Sequence, residues 1–180
     1  MCLFLIGIIL GCMANILFQS RWLGQKLYPL KYEKTIFIEA KKYDLDPYLI
    51  AAVIYVESRF DSKAHSKSGA LGLMQVMPET GKWIAEKINL TDFREDDLYD
   101  PETNIKIGCW YLNNLKEQFS DNLLLVLAAY NGGHGNVNDW LEKEVWNGEW
   151  KKISQIPFPE TRSYVRDVAL TYKRYRQFYP

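Results

Sequence analysis

The chain has 180 residues, a length that suggests one domain, and its hydrophobic share of 48% is enough for a real core. Its 22 basic and 22 acidic residues cancel, with no long basic run, which argues against nucleic acid as the main partner. The three cysteines, Cys2, Cys12 and Cys109, imply no disulfide framework, and His65 and His134 have no second ligand at metal spacing, so no metal or cofactor is expected.

The N-terminus carries the strongest topological signal. CLFLIGIILGCMANILF, Cys2 to Phe18, holds no charge and is about long enough to cross a bilayer with its flanks. Basic residues follow it at Arg21, Lys26, Lys31 and Lys34, and none precede it. That bias alone would keep the following domain inside, but large domains often override it. Ile9-Leu10-Gly11-Cys12 also resembles a lipobox, with Cys12 as the acylated residue; against this, the apolar run continues past Cys12. The preferred reading is an uncleaved anchor over 1–19, a tether over 20–31 and a folded domain over 32–180.

That domain reads as helical throughout. Tyr32 to Tyr43 is a first helix, with Ile36 and Ala40 one turn apart. Asp46-Pro47 opens the next, Asp as N-cap and Pro at the first helical position. In it Ile50, Val53, Ile54 and Glu57 fall at i, i+3, i+4 and i+7, so Glu57 ends an apolar stripe. An ionised carboxylate there is costly unless paired, hydrogen-bonded or protonated. Two readings are open: a buried ion pair or helix-end accident, and a proton donor.

SKAHSKSGALG, Ser62 to Gly72, is a polar, glycine-containing loop. Pro78 opens a helix, and Asp100-Pro101 opens a longer one with Ile105, Cys109, Leu112, Leu115 and Phe119 on its face. LLLVLAAY, Leu123 to Tyr130, is apolar nearly all round and should be a central, buried helix, stopped by NGGHG. Glu160 to Tyr179 is the final helix. With no period-2 strand of any length, no repeat and no low-complexity tract, the expected fold class is all-α. The 6 Trp, 12 Tyr and 8 Phe serve the core and suit a groove that stacks on ring-shaped ligands.

Four separated pieces then line up: Glu57-Ser58, Gly72-Leu73-Met74-Gln75, Ala129-Tyr130-Asn131, and Glu160-Thr161-Arg162 with Tyr164. They sit in YVESRFDSKAHSKSGALGLMQVMPET, DPETNIKIGCWYL, LAAYNGGHGNV and IPFPETRSYV. In this order, over roughly Tyr32 to Tyr179, the chain resembles the catalytic domain of the soluble lytic transglycosylase family, in the lysozyme-like superfamily. The resemblance implies a lysozyme-like domain that cleaves the bond between N-acetylmuramic acid and N-acetylglucosamine in peptidoglycan. The 6-hydroxyl of the muramic acid closes the ring, leaving a 1,6-anhydro end. Glu57 would donate a proton to the leaving oxygen, then take one from that hydroxyl. An apolar setting would raise its pKa toward neutrality.

The resemblance also implies a substrate-binding set. Ser58 would orient Glu57 by a hydrogen bond, and Gln75 would bind sugar N-acetyl or hydroxyl groups or contact Glu57. Met74 would line the groove, although plain packing is the commoner role of such a Met. Tyr130 and Asn131 would close over the cleft, Asn131 also reading as a simple helix stop. Glu160 and Tyr164 would flank the pocket, and Glu160 equally suits a helix N-terminus. Arg162 reads as structural. Gly132 stands where many relatives carry Ala. Asp61 reads as a turn residue, so no second acid stands out beside Glu57; an internal nucleophile removes the need for one. The implied partner is peptidoglycan glycan strands, with the chain a monomer held to the outer side of the cytoplasmic membrane by its N-terminal segment. Two alternatives stay open: a goose-type hydrolytic muramidase, and a glycan-binding scaffold without catalysis.

Overall fold

Residue 20 is the first, and residue 179 the last, that a computed structural model of this chain describes. The anchor expected over 1–19 lies outside the described residues. Helical turns over 20–27 (α1) come first. Then follow α2 (Glu33–Lys42), α3 (Pro47–Ser58), α4 (Pro78–Lys87), α5 (Pro101–Gln118), α6 (Leu123–Gly132), α7 (His134–Glu142) and α8 (Pro159–Phe178). Short 3₁₀ turns occupy Glu95–Tyr99 and Trp150–Gln155. The only extended pairings among the described residues are isolated bridges, His65 with Leu71 and Leu71 with Val76. The all-α expectation holds.

The helix starts follow their local chemistry. Asp46 Oδ1 accepts from the Tyr48 N–H at 2.8 Å, and Pro47 takes the first helical position, where its missing N–H costs nothing. Asp100 caps Thr103 at 2.9 Å ahead of Pro101. Asn122 accepts from the Leu124 and Leu125 N–H groups. Asp46 also accepts from the Tyr172 hydroxyl at 2.6 Å, so one carboxylate caps α3 and ties it to α8.

α3 is more deeply set than its stripe suggested. Ile50, Ala51, Ala52, Val53 and Ile54 are consecutive and fully buried. The helix packs along α8 and α2, and α8 in turn packs on α6. α6 is central as expected, with Leu127, Ala128 and Ala129 fully buried, though it opens with half-buried Leu123 and Leu124.

Two local expectations differ from what is found. Part of the tether expected over 20–31 is helical and docked: Gly24 lies against the Phe178 ring, and the Gln25 amide donates to the Phe178 carbonyl at 3.0 Å. Tyr28 then joins Tyr55, Tyr175 and Phe178 in an aromatic cluster. The second difference is α7. NGGHG stops α6, but it also starts α7, because Gly133 at φ +86° is the C-cap of one helix and the N-cap of the next.

Candidate active site

The site is built around the turn that follows the long polar loop. Leu71 and Val76 exchange backbone hydrogen bonds at 3.0 Å, closing the turn. The four carbonyls from Leu71 to Met74 are each claimed by a side chain. The Leu71 carbonyl accepts from Asn104 Nδ2 at 2.9 Å. That of Gly72 accepts from Gln75 Nε2 at 2.9 Å, and Leu73 from the Ser58 hydroxyl at 2.8 Å. The Met74 carbonyl accepts from the Tyr130 hydroxyl at 2.9 Å. The donors come from α3, α5, α6 and the turn itself, so three helices converge on one short backbone segment.

This geometry reassigns several expected sugar contacts. Ser58 spends its hydroxyl on the Leu73 and Ile54 carbonyls rather than on Glu57, so it fixes the turn against the end of α3. Gln75 donates its amide to Gly72 and Ala64, which leaves its carbonyl oxygen as the group free to face a ligand. Met74 is not a groove residue: it is fully buried, and its sulfur packs over Gly108 of α5, where any side chain would collide with it. Tyr130 does reach the site, but its hydroxyl is a strut to Met74.

Asn104 is the residue the sequence reading missed. It is fully buried; its Oδ1 accepts from the Met74 N–H at 2.8 Å, and its amide donates to the Leu71 and Leu98 carbonyls. A buried amide must find such partners, and all three are supplied here. The one available signal was an Asn among apolar neighbours of α5, at i+4 from the Asp100 cap. Gly72 sits beside it at φ +74°, where a Cβ would strike the Leu98 carbonyl and the Asn104 amide. Only glycine fits that position.

Glu57 ends α3. The two residues after Ser58, Arg59 and Phe60, both take left-handed conformations, at φ 55° and 63°, and so break the helix immediately behind the carboxylate. Burial pushes the Glu57 pKa up to about 7; the Tyr164 phenol beside it opposes the rise, and the Glu160 charge adds to it. Desolvation is the dominant cause, as expected for a carboxyl taken out of water. Tyr164 is buried, and its hydroxyl has no partner of ordinary hydrogen-bond geometry among the described residues. It lies beside the Glu57 carboxyl, close enough to favour its anion. Burial, with the Glu57 charge next, holds the phenols of Tyr130 and Tyr164 well above their usual range, so both stay neutral.

Tyr130 also lines a cavity of about 190 Å³, together with Gln75, Met77, Thr80, Tyr111 and Asn131 among others; Glu57 and Tyr164 are not among its lining residues. Asn131 accepts from the Thr161 hydroxyl at 2.7 Å, fastening the end of α6 to the start of α8. Gly132 suits that junction, since a Cβ would come within 2.9 Å of the Thr161 hydroxyl oxygen. Glu160 stands exposed in the first turn of α8. Arg162 donates to the Ile156 carbonyl and holds the turn before α8, a structural role. Asp61 caps the Lys63 N–H at 2.9 Å, as a turn residue does. The arrangement thus offers one protonatable carboxyl, neutral phenols and a small cavity of mixed polar and apolar lining on a braced backbone.

Comparison with known proteins decides the family. The model of the transglycosylase SLT domain matches residues 34–153. The chain belongs to the transglycosylase SLT domain family. This SLT domain is 35% identical over 156 residues to the soluble lytic murein transglycosylase of Salmonella typhimurium, covering 86% of this chain and 24% of that protein. It is 36% identical to the membrane-bound lytic murein transglycosylase F of Desulfosudis oleivorans, over 75% of this chain and 30% of that one. Among solved structures, an inactive glutamate-to-glutamine variant of the lytic transglycosylase Slt from Pseudomonas aeruginosa superposes with a TM-score of 0.76. Its sequence is 37% identical, and the match covers 83% of this chain and 25% of that chain. The SLT domain described here therefore spans about a quarter of the length of such relatives. Glu160 and Tyr164 of α8 lie past the end of the family match.

Proposed function

We propose that this chain is a peptidoglycan lytic transglycosylase, cleaving the bond between N-acetylmuramic acid and N-acetylglucosamine with Glu57 as acid and then base. The observation that carries the reading is the Glu57 carboxyl, held near pH 7 by burial at the end of α3. A catalytic acid works best when its pKa lies near the operating pH. At that value the carboxyl is ready to give a proton to the glycosidic oxygen. As the carboxylate it then accepts a proton from the muramic 6-hydroxyl as that oxygen bonds to the anomeric carbon. The nucleophile is already attached to the sugar, which supplies proximity without a second carboxylate. Tyr164, neutral and close to Glu57, steadies the anion between the two steps. The Gln75 carbonyl oxygen, Thr80 and Asn131 supply polar contacts to the sugars in the cavity. The activities named for the relatives support the same class.

The localisation belongs to the same proposal. Residues 1–19 hold the chain to the cytoplasmic membrane, and the domain works on the wall side as a monomer. Relatives named as membrane-bound support attachment. No helix among the described residues is long and apolar enough to cross a membrane.

The test is a digest of purified peptidoglycan by the full chain in detergent, with Glu57→Gln alongside, read by mass spectrometry. Anhydro ends, one water lighter than hydrolytic ends, are expected from the wild type and none from the variant. Reducible, fully hydrated ends would make the protein a muramidase. Binding without products would make it a scaffold.

A further inference from the structure

The aromatic pair outside the cavity has no part in the chemistry above. Met77 and Thr80 line the cavity from the start of α4, and Trp83 lies one turn beyond Thr80 on the same face of that helix. Tyr111 lines the cavity from α5, and Trp110 precedes it in the chain. The Trp83 and Trp110 rings meet edge to face, with centroids 5.2 Å apart and planes at 81°. That is the preferred geometry for two such rings, and it fixes the orientation of both. Trp83 is 40% exposed and Met77 42%, so two large apolar side chains of this segment stand open to solvent, one of them in the cavity lining.

Other exposed tryptophans are already capped. Lys26 sits 3.9 Å over the Trp22 ring, and Lys173 lies 5.8 Å from that of Trp150. No cation stacks on Trp83 among the described residues. It is an oriented, open aromatic ring on the rim of a sugar-sized cavity.

We propose that Trp83, held by Trp110, is a stacking platform for the glycan ring that lies just outside the cavity on the α4–α5 side. The occupant is the continuing strand of the same substrate, because Met77, Thr80 and Tyr111 of the cavity lining sit on or next to the same two helices as Trp83 and Trp110. A pyranose presents an apolar C–H face to an aromatic ring, and its hydroxyls point away into water. The platform therefore grips strands long enough to reach it and leaves short fragments unaffected. The proposal rests on the glycan-cleaving reading given above.

The experiment uses the full chain in detergent, in the Glu57→Gln background so that nothing is cleaved. Binding of N-acetylglucosamine oligomers of graded length is followed calorimetrically, with and without Trp83→Ala. Affinity should rise at the length that first reaches Trp83. Trp83→Ala should remove that step, about a fivefold loss confined to the longer oligomers, in line with one aromatic contact. Trp83→Phe should restore most of it, and Trp110→Ala should weaken it. An equal loss at every length, or a step that survives Trp83→Ala, overturns the platform. Failure of the parent reading looks different: wild-type chain then releases no products from peptidoglycan, whatever the oligomers do.

Discussion

At Glu57 burial and two neighbours pull in different directions. Burial favours the neutral acid, Tyr164 favours the anion, and the Glu160 charge disfavours it. Between the ordinary value of 4.5 and about 7, the folded chain keeps a proton that the unfolded chain has released, so stability falls as pH rises through that window. Above it, the folded protein carries a buried charge at a cost of about 3 kcal/mol relative to the unfolded chain. Glu57→Gln removes that cost. Urea unfolding should show the variant more stable than wild type at pH 8, with the gap closing toward pH 4.5; a gap independent of pH would contradict the burial argument. Under the proposed function, Glu57, Tyr164 and Glu160 also set the pH profile of turnover. If the first step needs the acid form, kcat/KM declines as pH rises through about 7. Glu160→Gln removes a like charge and should move that limb to lower pH. Tyr164→Phe removes a group that favours the anion and should move it higher. Shifts in the same direction would mean that neither group acts through Glu57.

The elements explain why Glu57 was legible and its support was not. Asp46-Pro47, Pro78 and Asp100-Pro101 announced three helix starts, because capping is local chemistry between residues two or three apart. Glu57 stood out by spacing on its own helix. The brace on the turn is non-local: Asn104 reaches back 30 residues to the Met74 N–H, and Tyr130 reaches 56 to the Met74 carbonyl. No periodicity encodes such pairs. The helix break behind Glu57 was hidden too, since Arg59 and Phe60 take left-handed conformations without a glycine to signal them. Gln75, at φ 47°, is a similar case. Ser58 and Tyr130 were expected to serve Glu57 or the sugars, whereas their hydroxyls donate to the backbone of the turn. That distinction predicts a ranking. Asn104→Ala strands the Met74 N–H and removes the donors to Leu71 and Leu98, so it should cost about 3 kcal/mol, because buried polar groups are left unpaired. Tyr130→Phe loses a single bond and should cost about 1 kcal/mol. Chemical denaturation orders the two. Equal costs would mean that the turn is held by packing rather than by hydrogen bonds.

At the scale of the whole molecule, the question is how the domain meets whatever precedes it. The sequence reading placed a tether over 20–31 because nothing local there forbids one. The structure instead seats α1 on the far end of α8, through Gly24 against Phe178, the Gln25 amide and the Tyr28 cluster. This contact pairs the first described helix with the last, more than 150 residues away in the chain, so only the fold brings the two together. Both α8 and α3 share the aromatic cluster, through Tyr175 and Tyr55. The α1 dock therefore rests on the same pair of helices that carries Glu57 and Tyr164: on α8 it lies at the opposite end from Tyr164, while on α3 Tyr55 stands only two residues before Glu57. If the dock is a mechanical joint and not a part of the site, the two functions separate. Gly24→Val drives a branched side chain into the Phe178 ring and should release α1. Hydrogen exchange over 20–27 should then accelerate, while turnover of solubilised glycan and its pH profile stay unchanged. A fall in turnover with the same variant would show that strain travels from the dock along α8 to Tyr164, and that the position of the N-terminal segment is felt at the site.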